Sequence, residues 1–156
     1  MTAKVTWSQG LSFSGTADTG FPVPLGASTS VGGNEDGFRP MELIATGLAG
    51  CTAMDVISIL QKKRQNITNF EVQVHTEQAA EYPKVFTSAW IEYTITGRNV
   101  DEEAVRRSIE LSATRYCPAQ AMFAKIMPLR LTYHIYEAGE SGEPRLVKSS
   151  DYTPTG

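Results

Sequence analysis

The stretch PMELIATGLAGCTAMDVISILQKK, residues 40–63, decides the fold of this chain. Pro40 suits the first turn of a helix, where its missing N–H costs nothing. Basic residues from Lys62 onward are typical of a helix end. Between Glu42 and Lys62 the only charged residue is Asp55. Apolar residues cover nearly every face of the predicted helix, and a helix that is apolar all round is expected to be buried.

The same helix is rich in small residues. Gly47 and Gly50 lie within a run of small residues at 45–53, interrupted by Leu48. Each glycine costs about 1 kcal/mol relative to alanine in a helix interior. We expect this run to let another backbone approach closely, which would compensate for the cost. Because a monomer would leave some apolar helix surface and sheet edge uncovered, we predict a tight homodimer.

Alternation of polar and apolar residues predicts strands on both sides of the helix. Short strands are expected before it, with Gly10 as a turn. The elements predicted after it are two long strands at 70–75 and 85–95, a helix from Asp101 to near Tyr116, a short helix after Pro118 and a strand at 131–136. This order predicts an α+β fold, with an antiparallel sheet wrapped on a central buried helix. We expect one domain over residues 1–138 and a polar tail over 139–156, partly ordered around 145–147.

Length, net charge and composition limit the partners and cofactors expected for this protein. A length of 156 residues fits one domain. The net charge of −3 argues against a nucleic-acid partner, whose usual footprint is a basic face. The N-terminus lacks the apolar core of a signal peptide, and no stretch approaches the ~20 apolar residues of a membrane span. We therefore expect a cytoplasmic protein without a membrane partner. No metal-ligand spacing or phosphate loop occurs, so we expect neither metal nor cofactor.

The two cysteines are the residues best suited to chemistry. Cys51 lies in the apolar helix, where position alone favours packing as a small hydrophobe. Cys117 directly precedes Pro118 and is therefore predicted at or near a helix N-cap, where free N–H groups and the helix dipole lower the pKa of a thiol. The residue pattern thus favours Cys117 as the more easily ionised thiol. Asp55, one turn after Cys51, is expected to face a similar direction.

Two motifs resemble those of a known family. The segment PMELIATGLAGC, residues 40–51, resembles the central helix signature of the OsmC/Ohr family, and YCPA, residues 116–119, resembles its second cysteine motif. The continuation over residues 52–63 is most similar to the YhfA-like branch. The resemblance covers about residues 4–137. It implies the OsmC-like fold and an intertwined homodimer with two sites at the interface.

The resemblance also implies a function, thiol-dependent reduction of organic hydroperoxides in oxidative stress defence. Cys51 matches the peroxidatic position, whose thiolate would attack the hydroperoxide. The sulfenic acid formed would condense with Cys117 to a disulfide. A small dithiol or a protein thiol would restore both thiols, and no metal, haem or flavin is needed.

The sequence departs from the family pattern around the reactive cysteine. The hydroperoxide reductases of the family carry a thiolate-stabilising arginine in their N-terminal loops, whereas this chain has no Arg or Lys between Val5 and Phe38. Met41 stands where they have their catalytic glutamate, and Glu42 matches the glutamate that follows it. Arg39 and Glu42 are therefore the catalytic candidates beside the two cysteines.

Two other interpretations stay open from sequence. The chain is an OsmC-like protein without peroxidase activity that binds a small apolar or electrophilic ligand, or it is a purely structural dimer. A catalytically efficient Cys51 would distinguish the peroxidase from the ligand-binding protein, whose cysteines sense a ligand or merely pack. A structural dimer predicts that replacing either cysteine by Ser changes stability but no chemistry.

Overall fold

The computed structural model describes residues 1–140 and 142–152. Its elements are β1 (Ala3–Gln9), β2 (Ser12–Ala17), β3 (Val23–Leu25), α1 (Pro40–Lys62), β4 (Asn66–Gln78), β5 (Phe86–Arg98), α2 (Glu102–Leu111), α3 (Pro118–Phe123), β6 (Leu129–Glu137) and β7 (Arg145–Tyr152). The mixed α+β class predicted from the sequence is confirmed. The chain falls into two compact units, Met1–Ile44 and Ala45 onward, and the division lies within α1.

The first unit holds a three-stranded antiparallel sheet in the order β1-β2-β3. Trp7 of β1 lies opposite Phe13 of β2. Gly10 has φ +51°, a left-handed conformation that favours glycine, and it makes the turn between the two strands. The Trp7 indole N–H donates to the Gly10 carbonyl at 3.0 Å. The short strands predicted around Gly10 are thus confirmed.

Helix α1 begins at the predicted residue and ends one residue before the predicted end. Its buried residues form one stripe at four-residue spacing: Leu48, Thr52, Val56 and Leu60. The expectation of burial on every face is therefore wrong for the single chain. The apolar composition of α1 makes most of its surface unfavourable in water. Within the single chain, however, the core covers only one stripe of the helix.

The close approach of another backbone expected at Gly47 and Gly50 is not made by this chain. Among the described residues, no other group lies within 4 Å of a Cβ added at either glycine.

The second unit holds a four-stranded sheet in the order β4-β5-β6-β7. Pairs β4–β5 and β6–β7 are antiparallel, but β5 and β6 run parallel, so the expectation of a fully antiparallel sheet is wrong. The physical reason lies in the connection between them. Helices α2 and α3 carry the chain from the end of β5 back to the start of β6, and such a crossover joins parallel strands.

The core of the second unit joins the α1 stripe to one face of this sheet. Alternate residues of β5 and β6 point into it, as the two-residue period of a strand requires. The fully buried members are Leu48, Val56, Leu60, Ile91, Tyr93, Ile95, Val105, Ile109 and Leu131. Helix α2 begins where predicted, because the Asp101 side chain accepts hydrogen bonds from the N–H groups of Glu103 and Ala104.

Strand β7 lies in the segment that we expected to be a polar tail. It pairs with β6 from Glu137 opposite Arg145 to Leu131 opposite Tyr152. The partial order expected around residues 145–147 thus extends to Tyr152, whose side chain is buried. The segment is mostly polar because most of β7 is exposed. The free edge of β6, which a local pattern cannot reveal, provides its pairing. Ser141 and residues 153–156 of the predicted tail lie outside the described residues.

Helix α1 also contradicts one expectation, that the chain has no segment long and apolar enough to cross a membrane. By length and composition it is apolar enough to cross a membrane, contrary to the expectation that no stretch approaches that length. The core helix of a soluble domain has the same properties. The cytoplasmic location stays a prediction.

The packing of α1 predicts a large difference between two neighbouring positions. Leu60 is fully buried in the core, whereas Gln61 is exposed. Leu60→Ala should lower the free energy of unfolding by about 2–5 kcal/mol, because it removes buried apolar volume. The matched variant Gln61→Ala should change it by less than about 0.5 kcal/mol. Urea denaturation followed by circular dichroism measures both. Equal effects of the two substitutions would contradict the packing described.

Candidate active site

The two cysteines, 66 positions apart, meet in the second unit. The thiol of Cys117 donates a hydrogen bond to the sulfur of Cys51, and the two Sγ atoms are 2.9 Å apart. No covalent bond joins them. Cys51 is half-buried on α1, whereas Cys117 is only 2% exposed. The sequence left their proximity open, and the fold brings them into contact.

A local departure from α-helical geometry places Cys117. Helix α2 continues into a π-helical turn over Ser112–Tyr116, and the N–H of Cys117 donates to the Ser112 carbonyl at 2.9 Å. Cys117 then leaves the helix with extended backbone and caps α3, whose first residue is Pro118. The predicted N-cap is confirmed. Short π-helical segments frequently occur at functional sites.

Burial dominates the acid-base properties of Cys117. It raises the pKa of the Cys117 thiol to about 12, and the hydrogen bond with Cys51 acts in the same direction. The N–H of Gln120, 3.4 Å from the sulfur, opposes this shift. The expectation that the N-cap position would lower the pKa of Cys117 is therefore wrong. The backbone hydrogen bonds from Ala119 and Gln120, at the start of a six-residue helix, lower the pKa less than loss of water raises it.

A buried polar cluster lies beside the cysteines, formed by Thr52, Tyr93, Ser112 and Gln120. The Thr52 hydroxyl lies 2.7 Å from the Tyr93 hydroxyl and 2.9 Å from that of Ser112. The side-chain amide of Gln120 donates to Thr52 at 2.8 Å and to Tyr93 at 3.4 Å. All four residues are at most 2% exposed. The cluster satisfies polar groups that would otherwise be costly in a core.

Asp55 connects this cluster to the half-buried face of α1. Its carboxylate accepts a hydrogen bond from the Ser112 hydroxyl at 3.0 Å. Tyr93, at the far side of Thr52, keeps its proton, because burial raises its pKa above its usual range. The hydrogen bonds from Thr52 and Gln120 only partly offset that rise.

Sequence reasoning missed this cluster. The signal available was Thr52, a hydroxyl at the same helical spacing as the buried Leu48, Val56 and Leu60. A polar group in an apolar stripe must find a partner, but its partners come from β5, from the π-helical turn and from α3. Their positions depend on the crossover that the sequence did not reveal.

Arg39 and Glu42 lie in the first unit, whereas the cysteines lie in the second. The Arg39 guanidinium pairs with the carboxylates of Glu35 and Glu42 at 3.7 and 3.9 Å. The carboxylate of Glu42 also accepts the N–H of Arg39 at 2.9 Å, which caps the start of α1. All three side chains are exposed. The catalytic roles expected for Arg39 and Glu42 stay predictions.

A groove of about 470 Å³ lies against the Cys51-bearing helix. Its lining residues are Met54, Asp55, Ser58, Ile59, Lys62, Leu111 and Tyr116. Asp55 therefore borders both this groove and the buried polar cluster, and Tyr116 directly precedes Cys117. Over residues 1–140 and 142–152, no group of three or more His, Cys, Asp or Glu side chains is placed to hold a metal ion.

The fold and the cysteine pair define a class of protein, and comparison with known proteins agrees. The sequence profile of the family described as "OsmC-like protein" matches residues 32–132, so this chain belongs to that family. It is similar to "Protein YhfA" of Escherichia coli strain K12, with 33% identity over 138 residues, 88% of this chain and all of that protein.

Solved structures share the fold. One described as "structural genomics" is 32% identical, has a TM-score of 0.79, and aligns over 88% of this chain and all of its own. An "organic hydroperoxide resistance protein OsmC" from Legionella pneumophila is 16% identical, with a TM-score of 0.64 over 85% of this chain and 94% of its own. The second likeness extends to the fold alone. The family and fold expected from the two motifs are thus confirmed.

The unequal environments of the two thiols predict unequal labelling. At pH 8 a thiol with a pKa of about 12 is ionised in roughly one molecule in 10,000, and only the thiolate reacts with an alkylating reagent. The reduced native protein should therefore take up iodoacetamide at Cys51 first, and at Cys117 only after denaturation. Peptide mapping by mass spectrometry assigns the sites. Labelling of Cys117 in the native state as fast as that of Cys51 would contradict this description.

Proposed function

We propose that this protein is a thiol-dependent peroxidase that reduces organic hydroperoxides to alcohols through a Cys51/Cys117 redox cycle. The observation that carries the proposal is the contact between the two sulfurs at 2.9 Å, with the buried Cys117 as hydrogen-bond donor and the half-buried Cys51 as acceptor. In that arrangement Cys117 keeps its proton, and Cys51 is the less buried of the two cysteines. The geometry therefore supports Cys51 as the attacking cysteine and Cys117 as the resolving one.

The cycle balances with two thiols and one hydroperoxide. The Cys51 thiolate attacks the terminal oxygen of the hydroperoxide, the O–O bond breaks, and the departing alkoxide takes up a proton to become an alcohol. Cys51 is now a sulfenic acid. The sulfur of Cys117 attacks the sulfur of Cys51, and the expelled hydroxide leaves as water with the Cys117 proton. A dithiol or protein-thiol reductant then reduces the disulfide by thiol–disulfide exchange.

The preference for an organic hydroperoxide rests on two supports. The groove along α1 offers apolar side chains such as Met54, Ile59 and Leu111 beside one carboxylate and one ammonium group. The Legionella pneumophila protein that shares this fold carries the name of an organic hydroperoxide resistance protein.

Arg39 and Glu42 are our candidates for the charged pair that other hydroperoxide reductases use at the thiolate. They already form an ion pair at the start of the helix that carries Cys51.

We further propose that the protein acts as a homodimer in the cytoplasm. Helix α1 leaves large apolar side chains exposed in the single chain, among them Ile44 and Met54. A second copy would remove such surface from water. A reducing compartment suits a cysteine pair that must return to the dithiol form after each turnover.

A second candidate function is binding of a small apolar or electrophilic ligand without peroxidase activity. A separate observation favours it. The first unit contains an apolar groove of about 380 Å³, lined by Val5, Leu11, Phe13, Leu25, Gly26, Ala27 and Pro40. Its apolar lining fits an apolar small molecule.

Stopped-flow oxidation of the reduced protein tests the first proposal. Cumene hydroperoxide should remove two thiols per chain rapidly, and hydrogen peroxide should do so more slowly, because the groove selects an apolar substrate. Cys51→Ser should abolish the reaction. Cys117→Ser, the matched control, should still react at Cys51 but stop at a sulfenic acid, which dimedone traps.

Three results would contradict the peroxidase proposal: slow oxidation, equal rates with both peroxides, or full activity in Cys51→Ser. Tight binding of an apolar ligand together with slow oxidation would favour the second function. Cys51→Ser retains one thiol per chain, so its slow loss through an intermolecular Cys117–Cys117 disulfide is recognised by its dependence on protein concentration.

A further inference from the structure

Gln120 links the two cysteine-bearing segments through side-chain and backbone contacts. Its backbone N–H donates to the sulfur of Cys117 at 3.4 Å. Its side-chain amide donates at 2.8 Å to the hydroxyl of Thr52, the residue that follows Cys51 on α1. One residue thus touches the resolving sulfur at one end and the helix of the attacking sulfur at the other.

The hydrogen bond between Gln120 and Thr52 is shielded from water. Thr52 is fully buried and Gln120 is 2% exposed, so water does not compete for the hydrogen bond between them. The remaining partners of Thr52 are the hydroxyls of Tyr93 and Ser112, which come from the sheet and from the π-helical turn. The Thr52 hydroxyl is therefore shared by three neighbours, and each neighbour belongs to a different segment. Loss of that hydroxyl leaves buried polar groups without a partner, which a folded core tolerates poorly.

The distance between the sulfurs matters because a sulfenic acid has two fates. It condenses with a nearby thiol to a disulfide, or a second hydroperoxide oxidises it to a sulfinic acid, which is not readily reversed. The Sγ atoms, 2.9 Å apart, are less than 1 Å beyond the length of a disulfide bond of about 2.05 Å. Condensation therefore needs little movement of the chain as long as Cys117 is held in place.

We propose that Thr52 and Gln120 are positioning residues that hold Cys117 against Cys51, so that the disulfide forms faster than Cys51 is oxidised further. The inference rests on the proposed function for its first step, formation of the sulfenic acid. In the favoured step, Cys51–SOH and Cys117–SH give the disulfide and one water. In the competing step, Cys51–SOH and a second hydroperoxide give Cys51–SO₂H and one alcohol.

Four variants separate positioning from general destabilisation. Thr52→Val removes the shared hydroxyl with little change of shape, and Thr52→Ser retains the hydroxyl as the conservative rescue. Gln120→Met removes the amide at similar length. The control is Ser108→Ala, because Ser108 is equally buried but its hydroxyl bonds only to the Ala104 carbonyl of its own helix. Circular dichroism establishes which variants fold.

Intact-mass spectrometry after graded cumene hydroperoxide gives the readout. A disulfide lowers the mass by two hydrogens, and a sulfinic acid raises it by two oxygens. Thr52→Val and Gln120→Met should raise the ratio of sulfinic acid to disulfide roughly tenfold or more, the effect expected when a reacting group is displaced by a fraction of an ångström. Ser108→Ala and Thr52→Ser should match the wild type. Wild-type ratios in both Thr52→Val and Gln120→Met would overturn the proposal.

A second readout needs no peroxidase activity. Glutathione redox buffers measure the equilibrium between the dithiol and the disulfide in the same variants. Poorer positioning should make the Cys51–Cys117 disulfide roughly tenfold easier to reduce in Thr52→Val and Gln120→Met, and leave Ser108→Ala unchanged, since a disulfide is favoured by the proximity of its thiols. If hydroperoxide oxidises no variant but this shift appears, the peroxidase function fails and the positioning role stands. If the shift is absent, the positioning role fails whatever the peroxidase result.

Discussion

The hydroxyl of Thr52 is the point at which three parts of the second unit are joined. It lies in the only buried stripe of α1 and contacts Tyr93 of the sheet, Ser112 of the π-helical turn and Gln120 of α3. A hydrogen bond of this kind contributes about 1 kcal/mol net, and a buried partner left unpaired costs about 1–3 kcal/mol. The cluster therefore favours one register of α1 against the sheet and against the turn. The position of Cys51 relative to Cys117 follows from that register.

The two cysteine side chains are chemically identical but differ in burial. Cys117 lies in the core and stays protonated, because loss of water disfavours its charged form more than the backbone N–H groups of Ala119 and Gln120 favour it. Cys51 is half-buried and accepts the Cys117 hydrogen bond. A resolving thiol does not need a low pKa if it is already in contact with its target. In the cycle that we propose, proximity would replace acidity as the source of reactivity for disulfide formation.

The sequence predicted the features that local chemistry determines. The bounds of α1 follow from Pro40 and the basic residues at its end, and the start of α2 follows from the Asp101 cap. The cysteine motifs, with their surroundings, indicated the family. All of these signals lie within a few residues of the feature that they predict.

The features that the sequence did not predict depend on partners distant in the chain. The parallel pairing of β5 and β6 follows from a crossover, and β7 follows from the free edge of β6. The acidity of Cys117 was wrongly predicted because the N-cap is local, whereas its burial comes from the packing of the whole unit. The Thr52 cluster was missed for the same reason. The roles of Arg39 and Glu42 were inferred from a motif and stay predictions.

The central claim is that the fold already holds the two sulfurs in position for a disulfide. A crystal structure of the protein after treatment with one equivalent of cumene hydroperoxide tests it most directly. We predict a Cys51–Cys117 disulfide with α1, the π-helical turn and the Thr52–Gln120 hydrogen bond all in place. An oxidised Cys51 without a disulfide, or a disulfide that forms only with the turn unwound and Gln120 displaced, would contradict the account.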